Sequence, residues 1–221
     1  MPTIPYKNKD GGKVCGVTTI LNNIGWNKEP LKYWAWKCGC DGINYREATK
    51  NACDAGTLGH YLVDCFIKHK KEDADYVKTF PDEIQVLGQK SFQNFLEWAN
   101  MLKFKPVITE VNLISEVYQY GGTPDCIAEV NKKLALFDWK TSNGVYIEML
   151  LQMYAYKVVW EENYPDKQLT GGIHLVRFTK ETASFHHHHW EWNDLFQAGV
   201  WDAFQAALTL HNAKKRLEKL L

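Results

Sequence analysis

The sequence has no excess of charge of either sign, because 26 Lys and Arg residues are matched by 26 Asp and Glu residues over 221 positions. It also contains no uncharged apolar run of the roughly 18–20 residues that a membrane-spanning helix needs. Hydrophobic residues make up 45% of the chain and charged residues 24%, as is typical of globular proteins. These properties exclude a fibre, a disordered tail and a membrane span. The zero net charge also argues against a protein coated in basic surface for non-specific binding to nucleic acid.

The charge is nevertheless uneven along the chain. Residues 1–71 carry 11 basic and 6 acidic side chains, residues 72–140 carry 7 and 11, and residues 141–221 carry 8 and 9. The neutral total therefore combines a basic first part with an acidic middle part, and a local charged groove is compatible with it.

Cysteine spacing offers neither a disulfide framework nor a common zinc pattern. The six cysteines lie at positions 15, 38, 40, 53, 65 and 126, and no pair has CxxC spacing. The first four could in principle gather around a metal, but thiols in a reducing compartment are the better interpretation. Since the first residues contain neither an apolar signal core nor an Arg-rich transit pattern, we expect a cytoplasmic protein, in the host cytoplasm if a phage encodes it.

Hydrophobic periodicity predicts helices before Pro106, and strands with two further helices from Pro106 onward. The predicted helices cover residues 31–37, 54–70, 80–102, 148–160 and 194–221. The predicted strands cover 107–117, 118–120, the hairpin 126–130 with 134–139, and the hairpin 172–179 with 184–192. This order predicts a mixed α/β fold.

No internal repeat or Pro/Ser-rich linker divides the sequence. We therefore expect one domain over residues 1–221. Its parts are a mainly helical region over 1–105, a central sheet and helix over 106–160, and a hairpin with a closing helix over 161–221.

Two carboxylates are predicted to meet at one edge of the sheet. Asp138 and Lys140 end an apolar strand, and side-chain alternation puts them on the same face. Asp125 precedes the neighbouring hairpin strand, about 5 Å away. Because facing carboxylates repel unless a proton or cation lies between them, the pair predicts a hard divalent cation such as Mg²⁺ or Mn²⁺. Lys140 could orient a water or neutralise charge on a phosphate, and Glu110 could supply a third acidic group.

Two helices carry further polar groups. His60 follows a run of small residues that permits close approach to a sheet, although a single histidine is more often structural. Gln152 and Tyr156 are four residues apart and share one helix face, as is also typical of an amphipathic core helix. In chain order the elements are His, Glu, Asp, Asp-x-Lys and Gln-x-x-x-Tyr.

This order carries a resemblance to a known family. The matching residues are Gly16-Val-Thr-Thr-Ile-Leu, Gly56-Thr-Leu-Gly-His60, Glu110, Asp125-Cys-Ile-Ala-Glu, Leu134–Phe137, Asp138-Trp-Lys-Thr-Ser142, Gln152 and Tyr156. The chain resembles the RecB-like branch of the PD-(D/E)XK nucleases over residues 16 to about 160. Within that branch it is most similar to the family of the mitochondrial genome maintenance exonuclease and its phage and bacterial relatives.

The resemblance implies a restriction-endonuclease-like core, with a mixed central β-sheet flanked by helices. It implies a metal-dependent DNA exonuclease acting on single-stranded or frayed ends, with DNA repair or recombination as its setting and replication or recombination proteins of a phage or bacterium as partners. The implied ligands of Mg²⁺ or Mn²⁺ are His60, Asp125, Asp138 and the main-chain carbonyl of Trp139. The implied catalytic residues are Glu110, Asp125, Asp138, Lys140, Gln152 and Tyr156.

The cysteines that bind an iron–sulfur cluster in some members of this branch follow the Gln-x-x-x-Tyr helix. No cysteine of this chain lies beyond position 126, so no iron–sulfur cluster is expected.

Candidate DNA contacts lie in two places. The resemblance implies that Thr141 and Ser142 hydrogen-bond a phosphate. Aromatic side chains amid lysines can stack on unpaired bases, and the best such group is Tyr33, Trp34 and Trp36 with Lys32 and Lys37.

The run His186–His189 is predicted to lie in a strand whose alternation sends successive rings to opposite faces. This favours a surface strand over a shared metal site.

Two alternatives to an exonuclease stay open. One is a structure-specific endonuclease of the same fold. The other is a non-catalytic nucleic-acid-binding module with a vestigial site, which the complete set of Glu110, Asp125, Asp138 and Lys140 argues against.

Overall fold

A computed structural model describes residues 5–26, 28–142, 144–178 and 185–221 of the chain. Its helices are α1 (Val17–Leu21), α2 (Lys28–Cys40), α3 (Tyr45–Ile67), α4 (Ala74–Lys78), α5 (Asp82–Leu102), α6 (Ile147–Asn163), α7 (Trp192–Gln197) and α8 (Val200–Leu217). Its strands are β1 (Cys15–Gly16), β2 (Lys105–Thr109), β3 (Leu113–Ser115), β4 (Tyr120–Gly122), β5 (Cys126–Val130), β6 (Lys133–Thr141), β7 (Ile173–Phe178) and β8 (Phe185–Trp190).

The central sheet is mixed, as predicted. Its five strands lie in the order β2-β5-β6-β7-β8, and β6 pairs with β7 in parallel while the other neighbours are antiparallel. The parallel pair is joined through α6, which is the crossover that parallel neighbours require. A small second sheet has the order β1-β4-β3.

Alternation along the central strands builds a hydrophobic core on each face of the sheet. Ile127 and Leu136 face a core that α1, α6 and α8 cover. Their neighbours Cys126 and Phe137 face the opposite core, which α3 and α5 cover. Because both faces are buried, β6 is one of the most buried elements of the protein, and polar side chains at its end are held firmly in place.

The predicted hairpin of β5 and β6 is confirmed, and its turn has a clear stereochemical basis. Asn131 and Lys132 both have positive φ values, 51° and 65°. Two-residue turns of this kind match the right-handed twist of the flanking strands. The turn sets the register in which Cys126 pairs with Phe137, so Asp125 lies close to the end of β6.

Two predicted elements are wrong in extent, because each is divided at a residue with left-handed backbone. The strand predicted over 107–117 is split into β2 and β3 at Glu110, whose φ is 49° and whose amide donates to the Asp125 carbonyl oxygen at 3.2 Å. The helix predicted over 194–221 is split into α7 and α8 at Gly199, whose φ is 73°. Neither break has a hydrophobic signature, so periodicity alone could not locate it.

Among the described residues, no helix is both long and apolar enough to cross a bilayer.

The second predicted hairpin is confirmed in β7 and β8, while its connecting residues 179–184 lie outside the described part of the chain.

The histidines of β8 divide between the two faces, as alternation predicts. His187 and His189 pack against His174 of β7, with 2.9 Å between His174 Nδ1 and His187 Nε2. His174 also stacks on Phe137. Burial and the neighbouring histidines lower the pKa of His174 to about 3 and that of His187 to about 4.

This cluster predicts acid sensitivity of the fold. An unfolded histidine takes up a proton near pH 6.5, whereas folded His174 stays neutral until about pH 3. The unfolded state therefore binds more protons in this window, and the free energy of unfolding falls as pH drops from 6.5, by up to about 1.4 kcal/mol per pH unit for one group. Urea denaturation at several pH values should show a shallower decline for His174→Phe, which keeps the aromatic ring. A decline equal to that of the wild type would contradict this assignment.

Candidate active site

The end of β6 presents a buried ion pair. Asp138 and Lys140 project from the same face, and Lys140 Nζ lies 2.6 Å from Asp138 Oδ2. The side chain of Asp138 is only 1% exposed, while that of Lys140 is 24% exposed. The carboxylate is thus held inside the protein, and the ammonium connects it to the surface.

Asp125 completes a pair of carboxyl groups. It lies just before β5, and its Oδ2 accepts a hydrogen bond of 2.8 Å from the amide of Trp139. The two carboxyl groups are close enough that the charge of Asp125 raises the pKa of Asp138. The predicted convergence of Asp125 and Asp138 at one sheet edge is therefore present in the structure.

Burial dominates the electrostatics of this pair. It raises the pKa of Asp138 to about 6, against the opposing effect of Lys140, and it also raises the pKa of Asp125. Burial alone would lower the pKa of Lys140, but the charges of Asp138 and Asp125 outweigh it and the pKa is raised. With both carboxyl groups ionised, one ammonium leaves an uncompensated negative charge, which is the condition that favours a cation.

His60 reaches this edge of the sheet from α3. The ring lies beside the main chain of Trp139, which acts to raise the pKa of the imidazole. Burial, together with the charge of Lys140, lowers the pKa of His60 to about 4. The imidazole is consequently neutral at physiological pH, the form in which histidine can bind a metal.

One turn and two turns after His60, the same helix face carries Asp64 and Lys68. Lys68 Nζ lies 2.5 Å from Asp64 and 3.0 Å from Glu110, so Glu110 is paired with a lysine. Glu110 also lines one cavity with Asp125. The prediction from sequence missed Asp64 and Lys68, although their spacing of four residues from His60 is a signal that could have located them.

A cavity of about 20 Å³ lies between α3 and the end of the sheet that carries Asp125. Its lining residues are His60, Asp64, Ile67, Thr109, Glu110, Asp125 and Trp139. This volume is about that of one water molecule, and the lining offers polar partners for it.

Gln152 and Tyr156 face the site from α6. Gln152 Nε2 donates to Tyr156 Oη at 2.7 Å and lies 3.5 Å from Thr18 Oγ1. The Tyr156 ring lies so close to Gly122 that a Cβ there would fall within 2.7 Å of it. Burial, with Asp138 and Asp125 nearby, raises the pKa of Tyr156, so its hydroxyl keeps its proton.

The residues of α2 that are predicted to contact DNA are exposed, but one of them is already engaged in an ion pair. On α2, Tyr33, Trp34 and Trp36 are all exposed, whereas Lys32 is paired with Glu29 at 2.5 Å. Lys37 lies in the last turn of the same helix and is exposed.

Thr141 and Ser142 lie at the end of β6 beside Lys140. Thr141 is half-buried. Ser142 is buried, and its hydroxyl donates to the carbonyl of Gly144 at 2.8 Å, so it is already engaged within the protein.

Comparison with known proteins gives similar structures at low identity. No protein-family model and no curated protein sequence matches the chain. Among solved structures, a candidate exonuclease from Eubacterium rectale is similar with a TM-score of 0.48 and 13% identity, covering 72% of this chain and 68% of the other.

The alkaline exonuclease LHK-Exo from Laribacter hongkongensis is similar with a TM-score of 0.29 and 16% identity, covering 76% of this chain and 93% of the other. Its complex with dAMP gives a TM-score of 0.28 and 17% identity, over 77% and 97% of the two chains.

Because α3 lies close to β6, replacing two glycines of this helix by alanine should change the free energy of unfolding in opposite directions. A Cβ at Gly56 would lie 2.6 Å from Thr141 Oγ1, whereas at Gly59 the nearest atom is Ser91 Cβ at an ordinary 3.5 Å. Gly59→Ala should raise the free energy of unfolding by up to about 1 kcal/mol through helix propensity. Gly56→Ala should lower it, because the helix must move away from the strand. Chemical denaturation of both variants measures this, and equal stabilisation would contradict the close contact.

Proposed function

We propose that this protein is a metal-dependent nuclease that hydrolyses phosphodiester bonds of DNA, as an exonuclease on single-stranded or frayed ends. The observation that carries the proposal is the buried pair Asp125 and Asp138 with Lys140 Nζ 2.6 Å from Asp138, at the accessible end of β6. Two carboxylates and a lysine around one point suit phosphodiester hydrolysis, which needs an activated water and positive charge near the phosphate.

The chemistry of the donor set fits Mg²⁺ or Mn²⁺. Asp125 and Asp138 supply hard oxygen donors with one uncompensated negative charge, and the Trp139 carbonyl and neutral His60 lie beside them. In the described ranges, no three His, Cys, Asp or Glu side chains form a group that could hold a metal by themselves. Mg²⁺ suits such a site, because it keeps several waters and is commonly held by one or two carboxylates and the phosphates of a substrate.

We propose that Asp125 and Asp138 hold this cation, with the Trp139 carbonyl as a further oxygen donor and neutral His60 beside the site. When bound, the cation lowers the pKa of a water and neutralises charge at the phosphate.

The protein side chains have distinct proposed roles around the reacting phosphate. Lys140 orients the attacking water and offsets negative charge, since its pKa is raised and it stays protonated. Tyr156, held by Gln152 at 2.7 Å, offers a hydroxyl proton to a phosphate oxygen. Glu110, at the rim with Lys68, supplies a third acidic group.

The exposed aromatic surface of α2 supports a single-stranded substrate. The rings of Tyr33 and Trp36 lie one turn apart with centroids separated by 5.6 Å. Large exposed aromatics can stack on unpaired bases but have no access to bases inside a duplex. The preference for free ends rests on the resemblance to the exonuclease family described above.

Digestion of labelled DNA tests the proposed reaction. End-labelled and circular DNA, single- and double-stranded, is incubated with Mg²⁺, Mn²⁺ or EDTA. We expect cleavage of linear single strands only with metal, and a loss of at least about 100-fold for Lys140→Ala. The matched control is Lys105→Ala, because Lys105 is an exposed lysine of the same sheet, 3.8 Å from Glu129.

Activity in EDTA, or Lys140→Ala cleaving as fast as wild type, would contradict this mechanism. Cleavage of circular single strands would identify an endonuclease. If the protein binds DNA but does not cleave it with either metal, the non-catalytic nucleic-acid-binding module would be favoured instead.

The aromatic surface yields a second prediction. Trp36→Ala should weaken binding of a single-stranded oligonucleotide roughly tenfold and leave duplex binding nearly unchanged, because stacking on each base is worth about 1–3 kcal/mol. Trp36 is 62% exposed, and Phe196 on α7 is 61% exposed, so Phe196→Ala is the matched control. Fluorescence anisotropy measures both. Equal losses in the two variants would argue against a specific role for α2.

A further inference from the structure

A buried arginine lies one strand away from the candidate catalytic lysine. The parallel strands β6 and β7 place Lys140 opposite Arg177, so both side chains project from the same face, about 5 Å apart at the backbone. On the next strand, His186 lies opposite Arg177. Three neighbouring strands thus form a row of nitrogen-bearing side chains beside the site.

The charge of Arg177 lacks a carboxylate partner among the described residues. The residue is 7% exposed, its Nη1 donates to the Ser142 carbonyl at 2.7 Å, and its Nε is buried with no hydrogen-bond partner. Lys140, in contrast, is neutralised by Asp138. A guanidinium cannot lose its proton, and an unpaired buried charge is costly. A buried donor left in this way calls for a group from outside the described chain.

The surroundings of Arg177 favour an anion. His188, on the same face of β8, has a buried Nε2 with no hydrogen-bond partner. Burial and the charge of Arg177 lower the pKa of His188. On either side of the guanidinium, Lys140 is partly exposed and His186 is exposed, so the row reaches the surface on both sides of Arg177.

The bond to Ser142 prepares the guanidinium for a ligand. It anchors Nη1 to the residue that follows β6, while the buried Nε has no hydrogen-bond partner. A planar guanidinium held in place binds phosphate through a fork of donors with little loss of entropy. Sequence periodicity does not single out Arg177, since it lies in the strand Ile173–Phe178, whose other residues are apolar except His174.

We propose that Arg177 forms a phosphate-binding subsite for the DNA backbone, next to the phosphate that is cleaved between Asp125, Asp138 and Lys140. This inference rests on the proposed function, because it takes the bound anion to be a phosphodiester of the substrate strand. Arg177 contacts a neighbouring phosphate and holds the strand in register with the carboxylate pair.

The test is the salt dependence of binding to a short single-stranded oligothymidylate in EDTA, between about 50 and 200 mM salt. Each phosphate contact contributes about 0.7 to the slope of log affinity against log salt for single strands. Arg177→Gln, which keeps a donor for the Ser142 carbonyl, should lower the slope by about 0.7 and weaken affinity about tenfold. Arg177→Lys should keep the slope, because it keeps the charge.

The matched control is Lys133→Gln, which removes an equal charge from the opposite end of β6, where Lys133 is exposed. It should leave the slope unchanged. A wild-type slope in Arg177→Gln would overturn the proposal. Equal loss of affinity in the Gln and Lys variants, with no change of slope, would overturn it in favour of a purely structural role.

If Arg177→Gln does not fold in a thermal melt, oligonucleotides with one neutral methylphosphonate replace it as the probe. At one position of the oligonucleotide, the methylphosphonate should weaken binding to the wild type more than binding to Arg177→Lys. If affinity depends on the methylphosphonate position identically in the two proteins, the proposal is overturned. The readout is independent of cleavage. A protein that shows these slopes but never cleaves would disprove the nuclease proposal alone, and a nuclease whose Arg177 variants bind with wild-type slopes would disprove the subsite alone.

Discussion

The burial of two carboxyl groups side by side is the constraint on which the rest of the structure depends. Asp125 and Asp138 can share one sheet edge only because the Trp139 amide donates to one and Lys140 pairs with the other. The surrounding elements serve the same arrangement. Helix α3 approaches β6 closely at Gly56, and the left-handed residue Glu110 turns the chain away at Asp125. The site is therefore a property of the sheet edge as a whole.

Charge is distributed locally although the whole chain is neutral. The acidic middle part of the sequence contains the carboxylates that converge on β6, while much of the basic excess lies in residues 1–71. Next to the carboxylates, Lys140 and Arg177 stand on adjacent strands at the same level. The proposed function combined with this charge distribution implies that DNA is held in a confined channel, with only a modest dependence of affinity on salt.

Much of the fold could be predicted from the sequence, and so could the meeting of Asp125 with Asp138. Period-2 alternation in β5 and β6, with a polar turn between them, was enough to place these carboxylates on one face. The breaks at Glu110 and Gly199 could not be predicted, because each depends on a single left-handed residue inside an otherwise continuous apolar pattern. The engagement of the Ser142 hydroxyl by Gly144 was equally invisible, since hydrogen bonds of loops leave no periodic signal.

The sequence by itself determined the two-sided burial of the sheet, the hairpin, and the presence of two aspartates and a lysine at its end, because these follow from local periodicity and turn chemistry. Only the tertiary structure decided which groups neutralise one another. It paired Glu110 with Lys68, brought His60 beside the main chain of Trp139, and set Arg177 beside Lys140. Those partnerships join residues distant in the chain, and the burial that shifts their pKa values exists only once the helices have packed on the sheet.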